Sequence, residues 1–561
     1  MFGAKQQDAL QKKLGDMRRE AEERAAERLA GKLNLQYIDL RITPVSIDAL
    51  KPIPEELAKD AMAVAVETKK NHVAVAATDP GSPQTGKIIE KLKAAGFETR
   101  VFTASRSGIE KILESYAFVP KESKEITGKV EISPERLEEL AKRLTTIQEV
   151  SKEMGSVDFD DVNTTLLLEI VLAGGLAVGA SDIHFEAEEQ KAKIRFRLDG
   201  ILHDIFGKLP LRNYEHLVSR IKLLSNLKMN VHDQAQDGRF TIEMTKKEVE
   251  VRVSTIPSEF GETIVMRLLD PDATTVQLGE LGLREDDLEV VARQLKMPNG
   301  LILNTGPTGS GKTTTLYAFL RKVAKPEVKI ITIEDPIEYR VEGIEQTQVD
   351  PEAGYDFADG LRSIMRQDPD IILVGEIRDR DTADIALQAA LTGHLVFSTL
   401  HANDAVGAVP RLVDLGVKTS AIGSAITLVI AQRLVRKLCQ YCKVESKIPP
   451  ELIQKIKKLL DRLPPNADKG KYNKTVIYEP TGCSKCNNFG YKGRVGIFEF
   501  MENGPDFEEA ISKDASRTTL RELAKKQGMI TMQEDGILKV LEGLTSFREV
   551  EDVTGSLESE K

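Results

Sequence analysis

The chain has 561 residues, 41% of them apolar and 30% charged, which is ordinary for a folded protein and enough for three or four domains. A formal net charge of −10 argues against general electrostatic binding to nucleic acid or to anionic lipid. No stretch approaches the roughly 20 apolar residues needed to cross a bilayer, and the polar start MFGAKQQDALQKK has no apolar signal core, so a cytoplasmic protein is expected.

Residues 5–30 predict a charged amphipathic helix within a leading segment 1–34, with Leu10, Leu14, Met17, Ala21, Ala25 and Leu29 on one stripe. Residues 35–118 read as a small α/β domain. Its strands are predicted at His72–Ala76 and Thr99–Thr103, and its helices at 87–94 and Ser107–Tyr116. Val119 to Glu131 is polar, lysine-rich and aperiodic, the pattern of a linker. Ser133-Pro134 then starts a charged helix to about Met154, completing a linker-and-helix segment 119–157. A second domain, 158–270, opens with an apolar helix, Thr164 to Val178. Strands are predicted at 182–186, 193–198, 239–244, 249–254 and 263–268, with two helices near 212–227.

The third domain is expected over 280–555. It begins with the most informative motif, Gly306-Pro307-Thr308-Gly309-Ser310-Gly311-Lys312-Thr313, which matches the phosphate-binding P-loop at every fixed position. The apolar run Leu301-Ile302-Leu303 leads in like a buried strand, and Thr314 to Arg321 leads out as a helix. A glycine loop in that setting aims backbone N–H groups and a helix dipole at phosphate. Lys312 would reach the β- and γ-phosphates of ATP, and the Thr313 hydroxyl would ligate Mg²⁺. Further on, the β-branched run 330–333 delivers Glu334, Asp335 and Glu338 at its carboxyl end, where ligands bind in open α/β sheets. These acids can orient a water or hold Mg²⁺ through water, although Glu334 and Asp335 also suit a structural role. A second strand, 371–374, ends in Gly375-Glu376. With glycine where many ATPases carry aspartate, Glu376 is the candidate metal-side acid.

His394 and His401 flank a strand-like run. Their spacing of seven puts them on opposite faces, so they are not expected to be a metal pair. His401, at the strand's end, is placed to sense the γ-phosphate, while His394 suits a satisfied polar group at its start. All four cysteines fall in two Cys-x-x-Cys pairs, Cys439/Cys442 and Cys483/Cys486, forty residues apart. The pattern predicts a four-thiolate zinc site, structural because no coordination position stays open. Disulfides or free thiols are the alternatives.

The stretch LRSIMRQDPDIILVGEIRDRDTADIALQAALTGHLVFSTLHANDA at 361–405, with ITIEDPIEY at 331–339 and GPTGSGKTTTLY from 306, resembles the secretion ATPase superfamily. It is similar to the extension ATPases of type IV pilus assembly and type II secretion. LVIAQRLVRKLCQYCK at 428–443 resembles that family's passage into a metal-binding insertion, here 437–492. SDIHFE at 181–186, RFRLDG at 195–200, QDGR at 236–239 and VMRLL at 265–269 resemble its second N-terminal domain. The likeness is strong over roughly 160–550 and loose over 35–118.

The resemblance implies an α/β architecture: a RecA-like P-loop core with a tetracysteine zinc subdomain, preceded by a PAS-like α/β domain and a small docking domain. It implies a homohexamer that hydrolyses ATP to polymerise pilins or pseudopilins. Its expected partners are an inner-membrane platform protein and a cytoplasmic adaptor, so the chain would sit at the membrane only through other proteins. Glu338 takes the role of general base or water positioner, and Glu376 that of water-mediated Mg²⁺ ligand. Arginines of the preceding domain match Arg197, Arg212, Arg239, Arg252 and Arg267, beside Arg362 and Arg366 within the ATPase domain; which of them acts is left open. Such side chains offset charge on a transferred phosphoryl group. The start, Lys12-Lys13-Leu14-Gly15-Asp16-Met17, lacks the paired apolar residues of a cyclic di-GMP-binding segment, so that ligand is not expected. A DNA-uptake motor remains an alternative within the class. A non-hydrolysing nucleotide-binding scaffold is the alternative outside it.

Overall fold

The computed structural model describes residues 20–556 apart from 44, 70–71, 95, 119–133, 162, 246, 272–275, 352, 464–468 and 473–475. The chain divides into two compact units, Met1–Asp270 and Pro271–Lys561, both mixed α/β.

In the first unit a helix spans 20–33. It buries Glu23, Ala26 and Ala30, leaves Ala21 and Ala25 exposed and covers Leu29 only in part, so the predicted stripe is rotated. The reason is a polar anchor that hydrophobic periodicity does not register: the Glu23 carboxylate accepts hydrogen bonds from Ser105 Oγ (2.7 Å) and Tyr37 Oη (2.5 Å). Leu10, Leu14 and Met17 lie outside the described residues, as does the predicted linker at 119–131. Strands β1 (Gln36–Tyr37), β2 (Ala63–Lys69), β3 (His72–Ala77) and β4 (Glu98–Thr103) form a sheet in the order β1-β4-β3-β2, with β2 antiparallel at one edge. The helix expected at 87–94 begins earlier, at Pro83. The single helix expected from 134 to 154 is two, Pro134–Arg143 and Ile147–Gly155. Thr146 breaks it by capping the second helix reciprocally with Glu149.

The apolar helix Thr164–Val178 is as predicted and is stopped by Gly179 at φ 74°. It is followed by β5 (Asp182–Ala187), β6 (Ala192–Leu198), β7 (Ile201–Leu209), β8 (Gln236–Glu243), β9 (Glu248–Ser258) and β10 (Gly261–Leu269). They make one antiparallel sheet in the order β7-β6-β5-β10-β9-β8. β7 is additional to the predicted strands, and one helix, Leu211–Leu224, stands where two were expected.

The second unit is built on β11 (Gly300–Thr305), β12 (Ile330–Glu334), β13 (Glu345–Gln348), β14 (Ile371–Val374), β15 (Leu395–Leu400), β16 (Ile426–Leu438) and β19 (Tyr491–Glu502), in the order β13-β12-β14-β15-β11-β16-β19. All neighbours are parallel except β19, which returns antiparallel to β16. β11, β12, β14 and β15 are buried at every residue, because apolar clusters cover both faces of the sheet. A two-stranded ribbon, β17 (Val444–Lys447) with β18 (Val476–Glu479), lies between β16 and β19 in the chain. Among the described residues no helix is long and apolar enough to cross a membrane.

Candidate functional site

Parallel pairing fixes the site. Thr305 of β11 is level with Leu400 of β15, Ser398 of β15 with Val374 of β14, and Val374 with Ile333 of β12. The segments that leave these strands therefore start from one edge of the sheet: the P-loop, His401, Gly375-Glu376 and Asp335 to Glu338.

The P-loop runs directly from β11 into the helix Lys312–Val323. Its glycines are required by space as well as by conformation. A Cβ on Gly306 would lie 2.5 Å from the Gln432 carbonyl oxygen, and Gly311 caps the helix at φ 88° with no room beside the Gln432 amide. Gln432, on β16 and 2% exposed, supports the loop from beneath. Its Oε1 accepts from Thr315 Oγ1 (2.8 Å) and Asn304 Nδ2 (3.0 Å). Pro307, Thr308 and Gly309 are exposed and Ser310 is buried, while Thr313 and Thr314 are half-buried on the first turn of the helix. Lys312 Nζ donates to the carbonyl oxygens of Gly306 (2.9 Å) and Pro307 (3.0 Å), which holds the ammonium over the loop. Burial lowers the Lys312 pKa, and the Glu376 charge opposes that shift.

Glu376 lies 3.2 Å from His401 Nε2 and forms an ion pair with Arg378. Arg378 also reaches Asp335 Oδ2 at 3.4 Å, so one guanidinium bridges the segments after β14 and β12. These carboxylates raise the Arg378 pKa. His394 takes its expected place before β15, with Nδ1 3.0 Å from the Ala389 carbonyl oxygen. Glu338 is half-buried. Glu334 is 3% exposed, and its carboxylate is occupied by Tyr317, Thr332 and Gln346. Burial raises its pKa against those hydrogen bonds.

Arg362 and Arg366 are exposed on and just beyond the helix Phe357–Ile364, Arg362 paired with Asp359 (2.8 Å). Arg197, Arg212, Arg239, Arg252 and Arg267 belong to the first unit. There Arg197 and Arg267 flank Asp182 (3.5 and 2.9 Å), Arg239 and Arg252 face Glu250, and Arg212 is exposed on its helix.

Arg378 and Gln432 were missed by motif reading. Arg378 sits two residues beyond Glu376 in a charged run and looks like any solvated arginine. Gln432 ends the apolar run 428–431 within a strand, and that interruption was the available signal.

The four cysteine Sγ atoms lie within 4.8 Å of one another, with Cys439–Cys483 at 3.9 Å and Cys442–Cys486 and Cys483–Cys486 at 3.8 Å. A disulfide needs about 2.05 Å, whereas a tetrahedron with Zn–S near 2.3 Å puts its sulfurs about 3.8 Å apart. The backbone N–H groups of Cys483 (3.2 Å) and Gly490 (3.3 Å) point at Cys486 Sγ. Burial raises the Cys486 thiol, but these donors together with the Cys442 and Cys483 side chains lower it to about 7, whereas burial pushes Cys439 up to about 11. The donor set therefore fits a thiophilic metal ion, and it would fasten the end of β16 to the start of β19.

A P-loop and two acids at the carboxyl edge of a parallel sheet define the class: a P-loop ATP hydrolase. Residues 159–552 match the family described as Type II/IV secretion system protein, and the chain belongs to that family. The Type IV pilus assembly ATPase PilB of Pseudomonas aeruginosa is 35% identical over 532 residues, 94% of this chain and 90% of that protein. The Type II secretion system ATPase E of Vibrio cholerae is 45% identical over 396 residues, 70% of this chain and 76% of that protein. The X-ray structure of the Legionella pneumophila ATPase DotB shares the fold, with a TM-score of 0.51 at 22% identity over 69% of this chain and 95% of that one.

Proposed function

We propose that the chain is the ATP-driven motor that extends a type IV pilus, working as a homohexamer with RecA-like cores. The observation that carries the chemistry is the convergence of four strand ends on one sheet edge. Backbone N–H groups of Gly306 and of Thr308 to Thr314 would cradle the phosphates, with Pro307 contributing its carbonyl to hold Lys312, Lys312 would offset their charge and Thr313 would ligate Mg²⁺. Glu376 would hold Mg²⁺ through water, with His401 beside it to register the γ-phosphate. Glu338 orients the attacking water. Asp335 acts through Arg378, and Glu334 acts as a buried support. Arg197, Arg212, Arg362 and Arg366 are the arginines offered to a nucleotide at subunit boundaries. Zinc on the four cysteines is structural, because all four coordination positions are filled by protein.

Loss of the γ-phosphate removes charge-assisted hydrogen bonds and releases a boundary, the local event behind a rigid-body stroke. The motor stays cytoplasmic and meets the inner membrane through a platform protein and an adaptor. Pilus assembly is favoured over secretion because the pilus-assembly relative matches along 94% of the chain, N-terminal domain included, and the secretion relative along 70%. The test is complementation in a piliated bacterium lacking its own extension ATPase. Surface pili restored by the chain and not by Lys312→Ala support this function. Secretion restored in a type II host, without pili in the first, contradicts it.

A further inference from the structure

Glu338 depends on being held at the right distance from the P-loop, and the structure shows what holds it. Tyr317 lies five residues beyond Lys312 on the same helix, about 7.5 Å along its axis. It is fully buried. Its hydroxyl donates to the Glu334 carboxylate, four residues before Glu338. Its ring meets that of Tyr339, the residue after Glu338, edge-on at 4.7 Å and 79°. From the far side, Gln346 Nε2 lies 3.3 Å from Tyr317 Oη, 3.2 Å from Glu334 Oε1 and 3.1 Å from the Tyr339 carbonyl oxygen. Both flanks of Glu338 are thus tied to one side chain of the P-loop helix.

We propose that Tyr317 is a positioning residue for hydrolysis: its hydroxyl and ring set the Glu338 loop in register with the helix that carries Lys312 and Thr313. The inference rests on Glu338 being the residue that orients the attacking water. Tyr317 is closed off from solvent, with its hydroxyl and ring taken up by Glu334, Gln346 and Tyr339, so its effect is expected on the chemical step and not on binding. Misplacement by about 1 Å can cost up to about a hundredfold in rate.

The test uses the full chain with Tyr317→Phe, which keeps the ring packing and removes the hydroxyl. Turnover, KM and the Kd of a fluorescent ATP analogue are measured together. The expected result is a kcat lower by about tenfold or more with Kd and KM within about twofold of the parent. In a Glu338→Gln background the same change should alter the residual single-turnover rate by less than about twofold, because no carboxylate remains to be positioned. A packing effect would instead lower both backgrounds alike. If Tyr317→Phe fails to fold, Gln346→Met removes the opposite anchor and is read the same way. Parent-level kcat in a folded variant overturns the inference, as does an equal loss in both backgrounds. With Glu338→Gln inactive, a null result for Tyr317→Phe sinks this inference alone. Parent-level turnover by Glu338→Gln removes the role of Glu338, and this inference with it.

Discussion

Replacing Gln432 by leucine keeps the volume of the side chain and deletes the acceptor beneath the P-loop. Two buried donors lose their partner, Thr315 Oγ1 at 2.8 Å and Asn304 Nδ2 at 3.0 Å. Neither Thr315 nor Asn304 is exposed to solvent. Each orphaned donor costs about 1–3 kcal/mol. The threonine hydroxyl can turn to the carbonyl four residues back in its own helix, which recovers part of its loss. The asparagine amide has only the Lys312 carbonyl oxygen at 3.5 Å to fall back on. The sum is then about 2–4 kcal/mol, or a fall of roughly 4–8 °C in the Tm of the second unit at about 2 °C per kcal/mol. Scanning fluorimetry of the parent and Gln432→Leu, without nucleotide, measures it. A Tm within about 1 °C of the parent would refute the reasoning that Gln432 supports the loop.

Glu499 is 4% exposed, accepts from the N–H groups of Ala405 (2.6 Å) and Met532 (3.2 Å), and burial raises its carboxyl from 4.5 to about 7. The folded state therefore binds this proton more tightly than the unfolded one. Its contribution to stability is complete below pH 4.5 and is lost as pH rises through 7, about 3 kcal/mol in all. A Tm series from pH 5 to 8 should fall for the parent and flatten for Glu499→Gln; parallel curves would contradict it. Cys439→Ser should drop bound zinc, measured by metal analysis, well below one per chain and lower the Tm, while ATP-analogue binding persists in part; full zinc retention would count against a four-thiolate site. Arg378→Ala removes the bridge between Glu376 and Asp335 and should lower kcat/KM by about tenfold, with unchanged kinetics as the contrary result.

The sequence made the P-loop, the acids after β12 and β14 and the cysteine pairs legible, because each is a short run whose residue types answer to one chemical task. The strands beneath them were legible too, since parallel burial on both faces leaves continuous β-branched runs such as 330–333. What escaped has long-range or polar causes. β7 is mostly exposed or half-exposed, so its residues show no regular alternation. The rotated N-terminal helix follows from Glu23 meeting Ser105, a contact 82 residues away. Thr146 and Glu149 end one helix and start another across a short uncharged stretch, 144–148, that carries no glycine or proline to mark the break. Gln432, Arg378 and Tyr317 gain meaning only when β16, β14 and the P-loop helix are brought to one sheet edge.

The most direct measurement is steady-state hydrolysis of Mg²⁺-ATP by the purified chain beside Lys312→Ala, with molecular mass recorded on the same preparation. The account predicts turnover by a hexamer that is lost in the variant while the hexamer remains. Turnover that survives Lys312→Ala, or an assembled hexamer without turnover, would contradict the assignment of this sheet edge as a motor's hydrolytic site.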